Sequence, residues 1–263
     1  TPSAQGVEIS IGFNNFYRMI INNSQKIENI ADFISETVKS DKLILIDNGQ
    51  EYSVNLIDHL IEIFESRNIT YEKRYSIQFD QEEYNVLAEN LLIDEPDTIF
   101  FCADYNELAQ LITKVRKLEL KCDFITEEMG MDDGISAIAD KLDLEGLIAI
   151  VSEPPSLARY TEDKRAIDFW RKYSDYLEKT SDREIIQKTP GPYSPYAYDA
   201  LYIIIESMKK ANSVLPEDFS SELKKTSYDG IAGHIEFNSN GERVSPLSTI
   251  FMMKNGDWVR YQQ

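Results

Sequence analysis

The stretch "DTIFFCADYNELAQLITKVRKLELKCDFIT", residues 97–126, decides the fold. "DTIFFC" (97–102) has the short apolar run of a buried strand, "NELAQLITKVRKL" (106–118) the period of an amphipathic helix, and "CDFIT" (122–126) is a strand again. The same alternation extends outward. Upstream lie a helix, "KIENIADFISETVKS" (26–40), the strand "LILID" (43–47) and the helix "VNLIDHLIEIFESR" (54–67), with Leu56, Leu60, Ile61 and Phe64 on one stripe. The strand "TYEKRYSI" (70–77) and the helix "EEYNVLAENLLI" (82–93) follow, and "GLIAIV" (146–151) is the strand after "CDFIT". Strands alternating with helices of this length predict an α/β fold with a parallel sheet covered on both faces.

Such sheets bind ligands beyond the carboxyl ends of their strands, where loops and helix N-termini gather. That edge holds residues 47–52, 103–105 and 126–133. The last of these carries four acids, Glu127, Glu128, Asp132 and Asp133. Capping the helix that starts at "GISAIAD" accounts for Asp132 and Asp133. Glu127 and Glu128 sit closer to the strand end, and the residues alone leave a binding role open for either. Tyr52, Tyr105 and Tyr193 fall in loops that face a cleft or merely pack, and a chain with 15 tyrosines allows both.

Past Val151 the pattern changes. "SEPPS" (152–156) is a hinge-like break. Helices follow at 162–179 and 196–211, separated by "KTPGPYSP", and three short strands with Asn-Gly turns at 240–241 and 255–256 make up the tail.

Composition narrows the function. With 46 acidic against 27 basic residues the formal charge is −19, which repels nucleic acid and offers no polybasic patch to anionic lipid. No run of about 18 apolar residues is present to span a bilayer. Cys102 and Cys122 fall at opposite ends of neighbouring strands, roughly 15 Å apart at ~3.3 Å per residue, so free thiols are expected. His59, placed on the apolar side of its helix, and His234 lack partners at metal-ligand spacing, so structural histidines and no metal are expected. "EMGMDDG" lacks the spaced oxygens of a calcium loop. No nucleophile elbow, Walker A loop or GxGxxG sequence appears. No enzyme activity and no cofactor are expected.

The tail "YDALYIIIESMKKANS" with "YDGIAGHIEFNSNGERVSPLSTIFMMKNGDWV", the opening "TPSAQGVEISIGFNNFYRMI", and "LILIDNGQEYSVNL" and "TIFFCADYNELAQLITKVRKLELKCDFITEE" between them resemble, in order and spacing, the branched-chain amino-acid-binding proteins. These are type I periplasmic solute receptors of ABC importers. The resemblance implies two doubly wound parallel-sheet lobes joined by a three-crossing hinge and closing on a small ligand like a trap. Residues 1–22 and 152–240 would belong to lobe I, and 23–151 and 241–263 to lobe II, with crossings near 20–25, 151–157 and 238–247. It implies an extracytoplasmic binding protein for an amino acid or related small molecule, delivering it to importer membrane subunits; the alternative is the ligand-binding ectodomain of a signalling receptor.

On matching positions, Glu128 corresponds to the carboxylate that receives a ligand's α-ammonium; adjacent strand residues point to opposite sides, so only one can meet a ligand, and the resemblance selects Glu128 over Glu127. Tyr52 and Tyr193 fall where the family places cleft aromatics, Asp104 and Tyr105 occupy another cleft loop, and Ser3 and Ala4 match backbone that grips the ligand carboxylate. Gln5 replaces the threonine whose hydroxyl binds that carboxylate, and a longer amide changes the expected ligand. The family's chains begin earlier, with the leading strands of lobe I, so lobe I is expected to be incomplete here. An N-terminal segment, or a second copy of the chain in a homodimer, would then cover its apolar surfaces.

Overall fold

The computed structural model describes residues 15–78, 81–152, 162–180, 193–244 and 248–262. Ser3, Ala4, Gln5 and the Pro-Pro break at 154–155 lie outside the described residues. The chain divides into two compact units, one of Thr1–Asn23 with Ser152–Leu247, the other of Ser24–Val151 with Ser248–Gln263.

The second unit is built on a sheet of β1 (Leu43–Asp47), β2 (Lys73–Ser76), β3 (Thr98–Cys102), β4 (Asp123–Glu127), β5 (Ile148–Ser152), β8 (Ser248–Lys254) and β9 (Asp257–Arg260). Their spatial order is β2-β1-β3-β4-β5-β8-β9. The first five pair parallel, with Ile46 beside Tyr75 and Phe101, Phe100 beside Ile125, and Thr126 beside Ala149. β8 and β9 form an antiparallel hairpin. Its Asn-Gly turn carries Asn255 at φ 55° and Gly256 at φ 83°, the backbone such a tight turn demands.

Both faces of the central strands β1 and β3 are buried. Leu43, Leu45, Phe100, Cys102, Ile125 and Ile150 share one core with Ile27, Ile30 and Ala31 of α1 (Asn23–Asp32) and Leu56, Ile57, Leu60 and Phe64 of α2 (Glu51–Arg67). The alternate residues Ile44, Ile46, Ile99, Phe101 and Phe124 are equally buried and point to the other face. Strands enclosed on both faces lose polar alternation, which is why they read as continuous apolar runs. The helix expected over 26–40 ends as a π-helical turn, Phe33–Val38, with Lys39 left-handed at φ 55°. α3 (Gln81–Asp94), α4 (Tyr105–Lys117) and α5 (Lys141–Leu144) complete the unit. Cys102 and Cys122 are separate buried thiols.

His59 is exposed, contrary to the expectation from sequence. Leu56, Ile57 and Leu60 take the buried stripe of α2, and His59 falls outside it beside Asp58.

In the first unit, α6 (Lys164–Thr180), α7 (Ser194–Ala211) and α8 (Pro216–Leu223) accompany the hairpin β6 (Ser227–Gly230) and β7 (Gly233–Glu236). Met19, Ile20, Tyr196, Ile203, Phe219 and Ile235 form its core. Residues 241–244, assigned from sequence to the closing strands of the other lobe, fall in this unit. Within it the buried Arg18 guanidinium meets the Glu242 carboxylate at 2.7 Å, and Arg243 donates to the carbonyls of Met19, Ala232 and His234. Gly241, at φ +75°, admits no side chain, because a Cβ there would collide with the Phe16 carbonyl.

Candidate functional site

The carboxyl ends of β1, β3 and β4 bring four polar side chains of the second unit together. Lys26 lies in the first turn of α1, Tyr52 in the first turn of α2, Glu127 closes β4, and Glu128 opens a short 3-10 turn, Glu128–Gly130. Lys26 Nζ donates to Glu128 Oε2 at 2.6 Å, to Tyr52 Oη at 3.0 Å and to Glu127 Oε2 at 3.2 Å. Tyr52 Oη in turn donates to Glu127 Oε2 at 3.2 Å. The ammonium also sits 5.7 Å from the Tyr52 ring centroid, within cation–π range.

Burial makes this arrangement consequential. Lys26 is 1% exposed, Glu127 0% and Glu128 8%. An ammonium removed from water is tolerated only when its hydrogens meet acceptors and its charge meets opposite charge, and three oxygens meet it here. Burial, reinforced by the Glu127 charge, drives the Tyr52 phenol far above its usual range, so it stays protonated. Among the described residues, one ammonium faces two carboxylates in this group.

Glu127 and Glu128 therefore converge, although neighbouring strand residues were expected to diverge. Strand alternation stops at Glu127, whose side chain accepts the Met129 N–H at 3.1 Å and starts the 3-10 turn containing Glu128. Asp132 likewise caps the next 3-10 turn by accepting from Gly134 N–H at 2.7 Å.

A second polar group braces the gap between β1 and β3, the point where strand order reverses. Asn48 Nδ2 donates to Glu107 Oε2 at 2.7 Å, the Ser53 hydroxyl accepts from the Asn48 N–H at 3.1 Å, and it donates to the Cys102 carbonyl at 2.6 Å. Burial raises the Glu107 carboxyl, opposed by its hydrogen bond from Asn48.

Of the residues singled out from sequence, Tyr52 and Glu128 are brought together, one on a helix rather than in a loop. Asp104 caps α4, accepting from Asn106 N–H at 2.8 Å and Glu107 N–H at 3.2 Å in a complete capping box. Tyr105 begins the same helix and packs its ring on Gly134, where a Cβ would lie 3.0 Å from its Cε2. Tyr193 belongs to the first unit, at the N-cap of α7, and is 41% exposed. Lys26 was missed. Its signal was present, since it shares the stripe of Ile27, Ile30 and Ala31 on an amphipathic helix, and a lysine there must find buried acids. Among the described residues, no three His, Cys, Asp or Glu side chains are placed to hold a metal ion. No helix among them is long and apolar enough to cross a membrane.

The chain is 23% identical over 215 residues to the leucine-specific-binding protein of Salmonella typhimurium, an alignment covering 81% of this chain and 53% of that protein. It thus spans about half the length of the curated relatives it matches. Among solved structures, a leucine binding protein, LivK, from Thermotoga maritima superposes with TM-score 0.78 at 20% identity, covering 100% of this chain and 71% of that one. An ABC-transporter solute binding protein from R. palustris, in complex with benzoate, gives TM-score 0.77 at 13% identity over 98% and 68%. These superpositions give the fold as that of type I periplasmic binding proteins. The relatives are binding proteins rather than enzymes. The family described as the receptor family ligand binding region matches residues 3–256, and the chain belongs to it.

Proposed function

We propose that the protein is an extracytoplasmic solute-binding protein that captures an amino acid or related small molecule and hands it to the membrane subunits of an ABC importer. The observation that carries this is the buried Lys26–Tyr52–Glu127–Glu128 group at the carboxyl edge of a parallel sheet, where α/β folds take their ligands. Membership of a ligand-binding family supports it, and so does the range of relatives, which extends from leucine binders to a protein holding benzoate. Tyr52 and Glu128, with Asp104 and Tyr105 on the neighbouring loop, are the contact residues proposed from this unit.

Thermal unfolding of the full-length protein against amino acids and small carboxylates tests this. A solute that binds only the folded state stabilises it by about 2.7 kcal/mol at a hundred times its Kd, a readily measured rise in Tm. No rise with any of them would count against the proposal. The family description also fits the ectodomain of a signalling receptor. Solute uptake by cells lacking the gene separates the two, since only loss of an importer component abolishes uptake.

A further inference from the structure

We infer that Lys26 is a specificity-determining residue: its ammonium occupies Glu127 and Glu128 from inside the protein, so the solute presents an uncharged group, rather than an ammonium, to this edge. The inference rests on the solute-binding reading of the site.

A pair of carboxylates at the ligand edge of an α/β sheet is an ordinary receptor for a cationic group, because each acid gains from a charge-assisted hydrogen bond. Here that gain is already realised internally. Lys26 Nζ reaches one oxygen of each carboxylate, at 2.6 and 3.2 Å, and the Tyr52 hydroxyl at 3.0 Å, matching its three N–H donors to three oxygens. Glu127 is further committed to the Met129 N–H and the Tyr52 O–H. Lys26 cannot withdraw to make room. Its side chain is 1% exposed, it springs from a helix whose next residues, Ile27, Ile30 and Ala31, are locked in the core, and releasing it would strand a buried cation.

A second ammonium brought to the 8%-exposed Glu128 would share its carboxylate with Lys26 and stand within a few ångströms of a like charge. Like charges at such separation in a protein interior oppose each other strongly. The second carboxylate does not reverse this, because Glu127 is fully enclosed and out of a solute's reach. A methylene or hydroxyl in the same place meets no such repulsion, and a hydroxyl can use the carboxylate as an acceptor. Solutes of the acid or hydroxy-acid class are thereby favoured over amino acids with the same skeleton.

Calorimetry on the full-length protein with matched sets tests this: leucine, 2-hydroxy-4-methylpentanoate and 4-methylpentanoate, and the corresponding phenylalanine, 3-phenyllactate and 3-phenylpropanoate. The wild type should bind the hydroxy or des-amino member of a set at least tenfold more tightly than the amino acid. In Lys26→Met the ratio should move toward the amino acid by tenfold or more. Because that variant buries two uncompensated carboxylates, Lys26→Met/Glu127→Gln, which keeps only Glu128 charged, provides the same comparison if the single variant does not fold. Tenfold preference of the wild type for an amino acid, or a ratio unmoved in both variants, would overturn the inference while leaving solute binding intact. Absence of binding by every compound to every protein would bring down the solute-binding reading itself, and the inference with it.

Discussion

Lys26 Nζ lies 2.6 Å from Glu128 Oε2, across 102 positions of sequence, and both groups are withdrawn from water. Together with the 3.2 Å contact from the same ammonium to Glu127, this contact ties α1 to the end of β4 by charge. Its removal has a defined cost. Lys26→Met should destabilise the second unit by about 3–5 kcal/mol, the usual penalty for leaving buried charge without its partner. Denaturant titrations of wild type and variant should show this deficit as a lowered midpoint, and an unchanged midpoint would contradict this account.

Asp199, fully buried on α7, accepts the N–H groups of Ile231 at 3.1 Å and Ala232 at 2.6 Å. Asp199→Ala should cost about 2–4 kcal/mol, because two buried donors lose their acceptor. Burial raises the Asp199 carboxyl above its ordinary value. Its contribution is then complete below the ordinary aspartate range and declines as pH rises through the raised value. The gap between wild type and variant should be widest in acid and narrow toward neutrality, measured as Tm against pH.

Asp104→Ala should remove the capping box of α4 and cost about 1 kcal/mol. Asp104→Asn, which keeps a side-chain oxygen for the helix N–H groups, should recover most of it. If ligand affinity falls in the alanine variant but returns with asparagine, Asp104 serves the site by holding the helix start, and its charge is dispensable.

Cys102 and Cys122 should both resist thiol reagents in the folded protein at pH 8. Burial pushes the Cys122 thiol up to about 11 and Cys102 well above its usual value, so little reactive thiolate forms. Two thiols should titrate rapidly once denaturant unfolds the chain. Fast labelling of either without denaturant would mean that its strand end opens far more readily than its packing indicates.

The strands and helices of the second unit were legible because enclosure on both faces writes itself as apolar runs, and one buried helix face as a 3.6 period. Where neither condition holds, the sequence was silent. α8 and β6 are short and largely exposed, so "PEDFSSEL" and "SYDG" carry little periodic signal. Glu128 and Tyr52 were found through resemblance and position, whereas Lys26 required reading a charge within an apolar stripe as a demand for partners. The convergence of Glu127 and Glu128 depended on where a strand yields to a 3-10 turn, a change of one residue that periodicity does not resolve.

The placement of β8 and β9 bears on how the chain is made. β8 hydrogen-bonds beside β5 in the finished sheet, Met253 exchanging backbone hydrogen bonds with Gly146 and Leu147, yet the segment between them belongs to the other unit. On the ribosome, β5 must wait with one side unpaired while that whole segment is translated. A bare strand edge of "IAIVS" is a template for wrong partners. The nascent protein therefore passes through a stage in which its parallel sheet carries an adhesive edge, and that stage ends only when residue 260 clears the exit tunnel and the hairpin closes the sheet.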